Sequence, residues 1–237
     1  MLEYLRNKKI LVVVAHPDDE VIGIGGSINR LIEEYNCIVK CVILGEGITS
    51  RDDTRKVGLR KQELKVHNNN ILEAKSHIGY QELATYNFPD NRFDSVDLLD
   101  LIKIIEKEKE SFNPTVIFTH HGGDLNIDHQ RTFEAVITAS RPLNNENVET
   151  IITFETYSGT EWQSTQDPRK FSPNFYITIN DKNLRCKIKA MESYEYEKRE
   201  YPHPRSSKAL EVVAKRNGII VGAYYAEPFS IIRTISR

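Results

Sequence analysis

The sequence of 237 residues has few cysteines, no long apolar run and no excess of charge of either sign. Three cysteines (Cys37, Cys41 and Cys186) do not make a disulfide framework in so long a chain, so we expect a reducing, cytoplasmic setting. The N-terminal apolar run, residues 10–15, is shorter than a signal-peptide core and far below the about 20 residues of a membrane span. Lys and Arg number 32 against 34 Asp and Glu, a balance that lacks the basic footprint of a nucleic-acid-binding protein.

Short apolar runs alternate with stretches of helical period, which is the pattern of strands joined by crossover helices. Residues 10–15 are continuously apolar, as in a strand buried on both faces, and residues 38–44 and 116–119 predict further strands. We therefore expect one α/β domain over residues 1–237, a Rossmann-like, doubly wound, mainly parallel sheet with helices on both faces. Functional residues in such sheets lie at the carboxyl ends of the strands.

Helices and strands in the second half follow a less regular pattern. Residues 151–154 and 175–179 predict strands, and residues 181–198 predict a charged helix. We expect the last helix to end at Gly218, because glycine commonly terminates helices. A charged amphipathic helix is also expected earlier, over residues 57–73.

The first predicted strand ends in a cluster of ionisable side chains, Ala-His-Pro-Asp-Asp-Glu over residues 15–20. One acid could cap the next helix and Pro17 could simply end the strand, but capping does not account for three acids and an imidazole. Because burying like charges together is unfavourable without a cation, these residue types predict a divalent metal such as zinc. Successive side chains in an extended turn diverge, so Asp19 can bind the metal while Asp18 faces the attacking water.

A glycine-rich segment, residues 23–28, follows this motif. It has glycine at the first two places of the dinucleotide-binding fingerprint, but Ile28 at the third. We therefore assign these glycines to close helix–sheet packing and exclude a nicotinamide cofactor.

A second polar motif, residues 119–129, follows the strand at Val116. Catalytic zinc usually takes three protein ligands, and His129 is the best candidate for the third. In the alternative, Asp128 caps a helix and His129 is merely exposed. His120 and His121 compete for the ligand role, and we expect at least one of them to be a core histidine.

These motifs together resemble the PIG-L/LmbE-like family of zinc-dependent deacetylases of N-acetylated amino sugars, and the resemblance extends over essentially the whole chain. It implies that His16, Asp19 and His129 bind Zn²⁺, or another divalent transition metal, and that Asp18 is the general base. Supporting segments are Leu-Gly-Glu-Gly at 44–47, Arg-Lys-Gln-Glu at 60–63, Pro-Asp-Asn-Arg-Phe at 89–93, His-Pro-Arg-Ser at 203–206 and Tyr-Ala-Glu at 225–227.

The chain departs from the family pattern at the second motif. Family members often have His-Pro-Asp-His there, and this chain has Asn-Ile-Asp-His over residues 126–129. Asn126 can donate a hydrogen bond but cannot carry charge as an imidazolium does. His203, held between two prolines, is the replacement candidate as oxyanion donor, with an ordinary surface loop as the alternative. Asp128 is predicted to orient a neighbouring imidazole.

The resemblance implies an N-acetylated amino sugar as substrate. The segment at 44–47 is similar to that of members associated with surface-polysaccharide sugars, which favours a nucleotide-linked sugar. Trp162 or Tyr157 could stack on the sugar, or serve packing alone. Each charged residue predicted to contact substrate could equally form a surface ion pair or support a loop. The predicted substrate-binding residues are Glu46, Arg60, Arg92, Asn126 and Arg205.

Two other functions are compatible with the sequence. The same metal site could cleave another amide or an ester. Alternatively, the chain could be a sugar-binding protein with a vestigial site, which only the absence of the usual histidine at Asn126 supports. We expect no nucleic-acid partner and no membrane span, and a homo-oligomer is left open.

Overall fold

The computed structural model describes residues 1–236, and its strands form one seven-stranded sheet. The strands are β1 (Lys9–Val14), β2 (Ile38–Gly45), β3 (Glu82–Phe88), β4 (Val116–His120), β5 (Thr150–Phe154), β6 (Phe175–Ile179) and β7 (Tyr225–Thr234). Their order across the sheet is β3-β2-β1-β4-β5-β7-β6. Strands β1 to β5 pair in parallel, and β7 runs antiparallel to both its neighbours. The expected Rossmann-like, mainly parallel sheet is confirmed.

Helices cover both faces of the sheet. They are α1 (Leu2–Leu5), α2 (Asp19–Tyr35), α3 (Lys61–Ile78), α4 (Leu98–Phe112), α5 (Ile127–Ala139), α6 (Asp181–Ser193) and α7 (Ser207–Val221). Alternate residues of β1 enter two cores: Val12 and Val14 join the core with α2, α3, α6 and α7, whereas Leu11 and Val13 join the core with α4 and α5. Within residues 1–236, no helix has the length and apolar character needed to cross a bilayer.

The glycines after the first motif bring α2 close to the sheet, as predicted. A Cβ atom on Gly23 would lie 2.2 Å from the ring of Phe154, and one on Gly26 would lie 2.8 Å from Ile179. A larger residue at either position would therefore push the helix away from the sheet.

Several predicted boundaries differ from the structure. The helix predicted over 57–73 spans Lys61–Ile78, and the one predicted over 181–198 ends at Ser193. The last helix continues through Gly218 to Val221 and ends at Gly222, whose φ of 70° is left-handed. Gly218 instead allows the chain after the helix to pack closely against it. A Cβ on Gly218 would lie 2.6 Å from the carbonyl oxygens of two residues after the helix.

The strand order reverses between β1 and β4, and this switch point positions the two polar motifs. Residues 10–13 of β1 pair with residues 116–119 of β4. The segments after both strands therefore leave the sheet side by side at its carboxyl edge, where open α/β sheets bind ligands.

Candidate active site

The three side chains predicted to bind a metal converge beyond the ends of β1 and β4. Asp19 Oδ2 lies 3.4 Å from His16 Nδ1 and 3.3 Å from His129 Nε2. One ligand atom from each of the three residues lies within 4.8 Å of the others, and all three residues are buried. Two imidazole nitrogens and one carboxylate oxygen are a donor set that suits catalytic zinc.

Donor atoms of this cluster are left without hydrogen bonds. Neither ring nitrogen of His129 has a hydrogen-bond partner among the described residues, and Oδ1 of Asp19 has none either. A buried polar atom without a partner costs about 1–3 kcal/mol, and a cation that accepts the lone pairs offsets this cost. The residues therefore fit a divalent cation.

His16 and His129 each have a further carboxylate beside the ring nitrogen that does not face Asp19. Asp128 Oδ2 lies 2.9 Å from His16 Nε2, and Asp124 Oδ1 lies 3.2 Å from His129 Nδ1. Because a carboxylate only accepts, Nε2 of His16 carries the proton and donates it, which leaves Nδ1 free for a cation. The other oxygen of Asp128 accepts the backbone N–H of Phe93 at 2.8 Å. This is the geometry expected of the predicted orienting residue.

The charges in the cluster favour an imidazolium facing a carboxylate. Burial opposes charge on His129, but Asp19 and Asp124 outweigh it and raise the pKa of His129 to about 9. Burial also opposes charge on Asp19, but His129 holds the pKa of that carboxyl well below its usual range. A cation that binds at Nε2 of His129 therefore takes the place of a proton.

His120 is a satisfied core histidine, as predicted for one of the adjacent pair. Its Nε2 accepts the N–H of Ala15 at 2.9 Å, so its Nδ1 carries the proton and donates to Thr156 Oγ1 at 2.9 Å. Its ring stacks on His129 with centroids 3.9 Å apart. Burial and the charge of His129 lower the pKa of His120 to about 4, so it forms a neutral wall of the cluster.

Asp18 is not part of the ligand group and contacts Arg205, whereas Asp19 contacts the imidazoles, in agreement with the predicted divergence of the two acids. Its φ of 101° is left-handed, which costs a residue other than glycine about 1–3 kcal/mol. Its side chain does not cap α2, and its Oδ2 lies 3.2 Å from Nε of Arg205. Burial raises the pKa of Asp18 well above its usual range, although Arg205 partly offsets this. A raised pKa makes its carboxylate a stronger base.

Arg205 connects Asp18 to two charged residues that the sequence analysis did not identify. Its guanidinium donates to Glu197 at 2.7 Å, and Glu197 also accepts from Arg51 at 2.7 Å. Nε of Arg205 has no hydrogen-bond partner within residues 1–236. Glu197 therefore holds a half-buried guanidinium beside Asp18. Because Glu197 lies in a run of charged residues, nothing in the sequence distinguished it.

Glu46 and Arg60, two predicted substrate-binding residues, are engaged in ion pairs. Arg55 donates two hydrogen bonds of 2.8 Å to Glu46, which supports the loop after β2. Arg60 lies between Asp52 and Glu63, at 2.9 and 2.8 Å. These contacts agree with the structural alternatives that the sequence left open, and any contact with substrate stays a prediction.

Asn126 and Arg92 also contact the protein itself. Asn126 caps α5 by accepting the N–H of Asp128 at 2.8 Å, so Asp128 is not the cap. Arg92 donates to the backbone carbonyl of Asp53 at 3.3 Å. Their predicted contacts with substrate are untested.

His203 contacts the backbone of Arg205 and the ring of Trp162. Its Nδ1 accepts the backbone N–H of Arg205 at 3.1 Å, and its ring meets Trp162 edge-on with centroids 5.9 Å apart. The cation in contact with Asp18 is Arg205. The role of His203 as oxyanion donor stays a prediction.

Two further residues of the site were not assigned from the sequence. Asp90 Oδ1 lies 3.4 Å from His16 Nε2, and its Oδ2 accepts from Ser50 Oγ at 2.7 Å. Asp90 belongs to the segment at 89–93 that supported the resemblance, which was the available signal. His67 is buried with neither ring nitrogen hydrogen-bonded among the described residues, and burial lowers its pKa to about 4. No sequence pattern pointed to it.

A family model and curated relatives match the chain. The model for PIG-L, described as GlcNAc-PI de-N-acetylase, matches residues 11–140, which contain all three candidate ligands and Asp18. An uncharacterized deacetylase of Escherichia coli K12, YaiS, is 25% identical over 195 residues, which cover 80% of this chain and 92% of the relative. A probable N-acetyl-alpha-D-glucosaminyl L-malate deacetylase 2 of Bacillus anthracis is 26% identical over 144 residues, covering 57% of this chain and 61% of that protein.

Solved structures share the fold at low identity. The N,N'-diacetylchitobiose deacetylase of Pyrococcus horikoshii superposes with a TM-score of 0.67 at 21% identity, covering 95% of this chain and 84% of that one. The teicoplanin deacetylase Orf2, in a zinc-inhibited form, gives a TM-score of 0.74 at 14% identity and covers 97% of this chain and 100% of that one. These likenesses agree on the architecture described above.

Proposed function

The chain belongs to the PIG-L family, and from this premise we propose that it is a metal-dependent hydrolase that removes the N-acetyl group from an amino sugar or sugar conjugate. One observation carries the proposal: Asp19 lies within 3.4 Å of two imidazoles, each backed by a second carboxylate, beside the separate buried acid Asp18. The similarity to a probable N-acetyl-alpha-D-glucosaminyl L-malate deacetylase and to an N,N'-diacetylchitobiose deacetylase supports the same reaction class.

Three residues would hold the cation, His16, Asp19 and His129, and we propose Zn²⁺ for it. When bound, a divalent cation supplies a Lewis acid that polarises the amide carbonyl and lowers the pKa of water towards about 7. The hydrogen bond of Asp128 orients His16, and the contact of Asp124 with Nδ1 of His129 favours a ring orientation in which Nε2 faces the cluster.

Asp18 is the proposed general base. Its carboxylate takes a proton from the attacking water while the water oxygen forms a bond to the acetyl carbon. Burial raises the pKa of Asp18, which strengthens it as a base near neutral pH. Asp18 contacts Arg205 and is not part of the ligand group, so its task is separate from that of Asp19.

Arg205 is the proposed stabiliser of negative charge. Attack on the amide places charge on the former carbonyl oxygen, and a half-buried cation beside the base lowers the energy of that state. His203, two residues earlier, is the alternative donor. Asn126 is not a candidate for this task, because its side chain caps α5.

The reaction is completed by a second proton transfer at Asp18. The protonated carboxyl gives its proton to the amide nitrogen as the carbon–nitrogen bond breaks. Acetate and the free amino sugar are the products, and Asp18 returns to its ionised form.

Acetate release is the test of this function. We expect the zinc-loaded protein to release acetate from an N-acetylglucosamine compound in preference to other acyl donors. Asp18→Asn should keep near-stoichiometric zinc but lose turnover, whereas His129→Ala should lose both. Absence of acetate from every N-acetylated sugar in a panel that includes UDP-N-acetylglucosamine would overturn the proposal, and turnover of other amides or esters in that panel would favour the alternative hydrolase. A protein that retains no zinc would be the vestigial sugar-binding protein.

A further inference from the structure

An apolar groove lies beside the candidate active site, in the part of the chain beyond the stretch that the family model matches. We call it the side groove, and its apolar walls include Trp162, Tyr201, Pro202, Val212 and Val213. It has a volume of about 830 Å³, and ligand pockets of about 300–1,000 Å³ take molecules larger than a single sugar.

The walls of the side groove keep large apolar side chains in contact with water. Trp162 is 53% exposed, Tyr201 is 59% exposed and Val212 is 43% exposed. Single exposed apolar residues are common, but several around one concavity mark a place where an apolar partner binds.

One rim of the side groove is tied to the candidate metal ligands. Trp162 ends a short 3-10 turn that begins at Thr160. The hydroxyl of Thr160 donates to Asp124 at 2.5 Å, and Asp124 is the carboxylate that backs His129. The position of Trp162 is therefore fixed relative to His129.

The other rim is tied to the proposed base. It contains residues 200–204, and the next residue, Arg205, lies 3.2 Å from Asp18. The two rims meet where the rings of Trp162 and His203 are in contact, with centroids 5.9 Å apart. A group bound in the side groove would therefore lie next to the reacting centre, within reach of a substituent on the same substrate molecule.

The charges of the side groove do not suit a phosphate. Its lining has three carboxylates, those of Glu155, Glu161 and Glu200, against one guanidinium, that of Arg216, and this excess of negative charge repels an anion. Glu155 accepts the hydroxyl of Tyr157, and Glu161 accepts the N–H of Ser158 at 2.7 Å, so both are used within the protein. What remains for a ligand is mainly the apolar wall.

We propose that the side groove binds an apolar group, aryl or alkyl, that is attached to the N-acetylated amino sugar. The inference rests on the function proposed above, because it places the sugar at Asp18 and its apolar substituent along Trp162 and Val212. It favours an apolar sugar conjugate over a nucleotide-linked one.

The experiment measures kcat/KM of the zinc-loaded protein for N-acetylglucosamine, its phenyl and octyl glycosides, and UDP-N-acetylglucosamine. We expect the apolar glycosides to exceed the free sugar by about tenfold or more, which is the discrimination that one good apolar contact gives. Trp162→Ala and Val212→Ser should each reduce this ratio several-fold. Ile219→Ala is the matched control, because Ile219 is 80% exposed on the same helix as Val212 but does not line the groove, so its ratio should stay at the wild-type value.

Each outcome decides a different point. Deacetylation of all four compounds with equal efficiency, or a preference for the nucleotide sugar, overturns the side-groove proposal and leaves the deacetylase standing. Failure to deacetylate any of them overturns the proposed function itself. If Trp162→Ala changes the mass measured by sedimentation instead of the ratio, the groove is covered by a second copy of the chain and the proposal is wrong.

Discussion

Replacing Arg205 by Met tests the proposed source of charge stabilisation. Methionine has a similar length but no charge, and it removes the cation that lies 3.2 Å from Asp18. Two unit charges about 4 Å apart interact by roughly 4 kcal/mol at an effective dielectric constant of about 20. Removal of one oxyanion donor typically costs about 2.7–4 kcal/mol, or ~10²–10³ in kcat. A guanidinium at a similar distance from the oxyanion would contribute an energy of this order, so we expect kcat to fall by ~10²–10³.

The assay separates a role in the transition state from a role in folding or assembly. Arg205→Met should lower kcat far more than it raises KM, and its zinc content should stay close to that of the wild type. Its melting temperature should fall, because Asp18 and Glu197 lose a charged partner. Guanidinium at millimolar concentrations should restore part of kcat, whereas urea at the same concentrations should not. Arg131→Met, which removes a partly exposed arginine paired with Glu134 on α5, serves as the control.

Two results would rule out this role of Arg205. If Arg205→Met keeps kcat within about threefold of the wild type while His203→Asn loses ~10²-fold, His203 supplies the charge instead. If Arg205→Met loses its zinc together with its activity, the residue supports assembly of the site and does not act on the transition state.

Three further predictions concern the supporting residues and the stability of the protein. Asp128→Asn should weaken zinc affinity by about 10–100-fold in a chelator competition, because the substitution disturbs the hydrogen-bond partner of His16. The control Asp100→Asn changes an exposed residue and should leave zinc affinity unchanged. Equal zinc affinities of the two variants would contradict the orienting role of Asp128. Removing the cation with a chelator should lower the melting temperature, because a ligand present at 1,000 times its Kd stabilises the folded state by about 4.1 kcal/mol. An unchanged melting temperature would mean that no cation binds. Burial lowers the pKa of His67 to about 4, so the unfolded state binds the proton more readily and the free energy of unfolding should decrease as pH falls from about 6.5 to 4. His67→Leu should remove up to about 1.4 kcal/mol of that decrease per pH unit in urea unfolding, and identical pH profiles would contradict this.

Much of the fold could be predicted because its signals are local. Residues buried on both faces of a parallel sheet give continuous apolar runs, and residues 10–15 and 38–44 correspond to β1 and β2 within a residue at each end. Strand β7 was missed because Glu227 and Pro228 interrupt its apolar pattern. Glu227 is nevertheless buried, where it accepts from Lys187 and from the backbone of α2, and this compensation is invisible in the sequence.

The candidate ligands could be found for the same reason. His16, Asp18 and Asp19 lie within four consecutive residues at the end of a strand, and the neighbouring strand brings His129 to the same edge of the sheet. Adjacent residues diverge by local geometry, so the separate directions of the two acids followed from their spacing.

The parallel sheet and the convergence of His16, Asp19 and His129 follow from the order of residues alone, because they depend on local periodicity and on strand order. That Arg205 contacts Asp18, that Asp124 contacts His129 and that the side groove opens beside the site is seen only once the chain is folded. Such contacts join segments distant along the chain through irregular loops. The geometry of these contacts depends on how the loop that carries Trp162 and the loop at residues 200–205 pack against each other. Packing of this kind leaves no periodic pattern in the sequence.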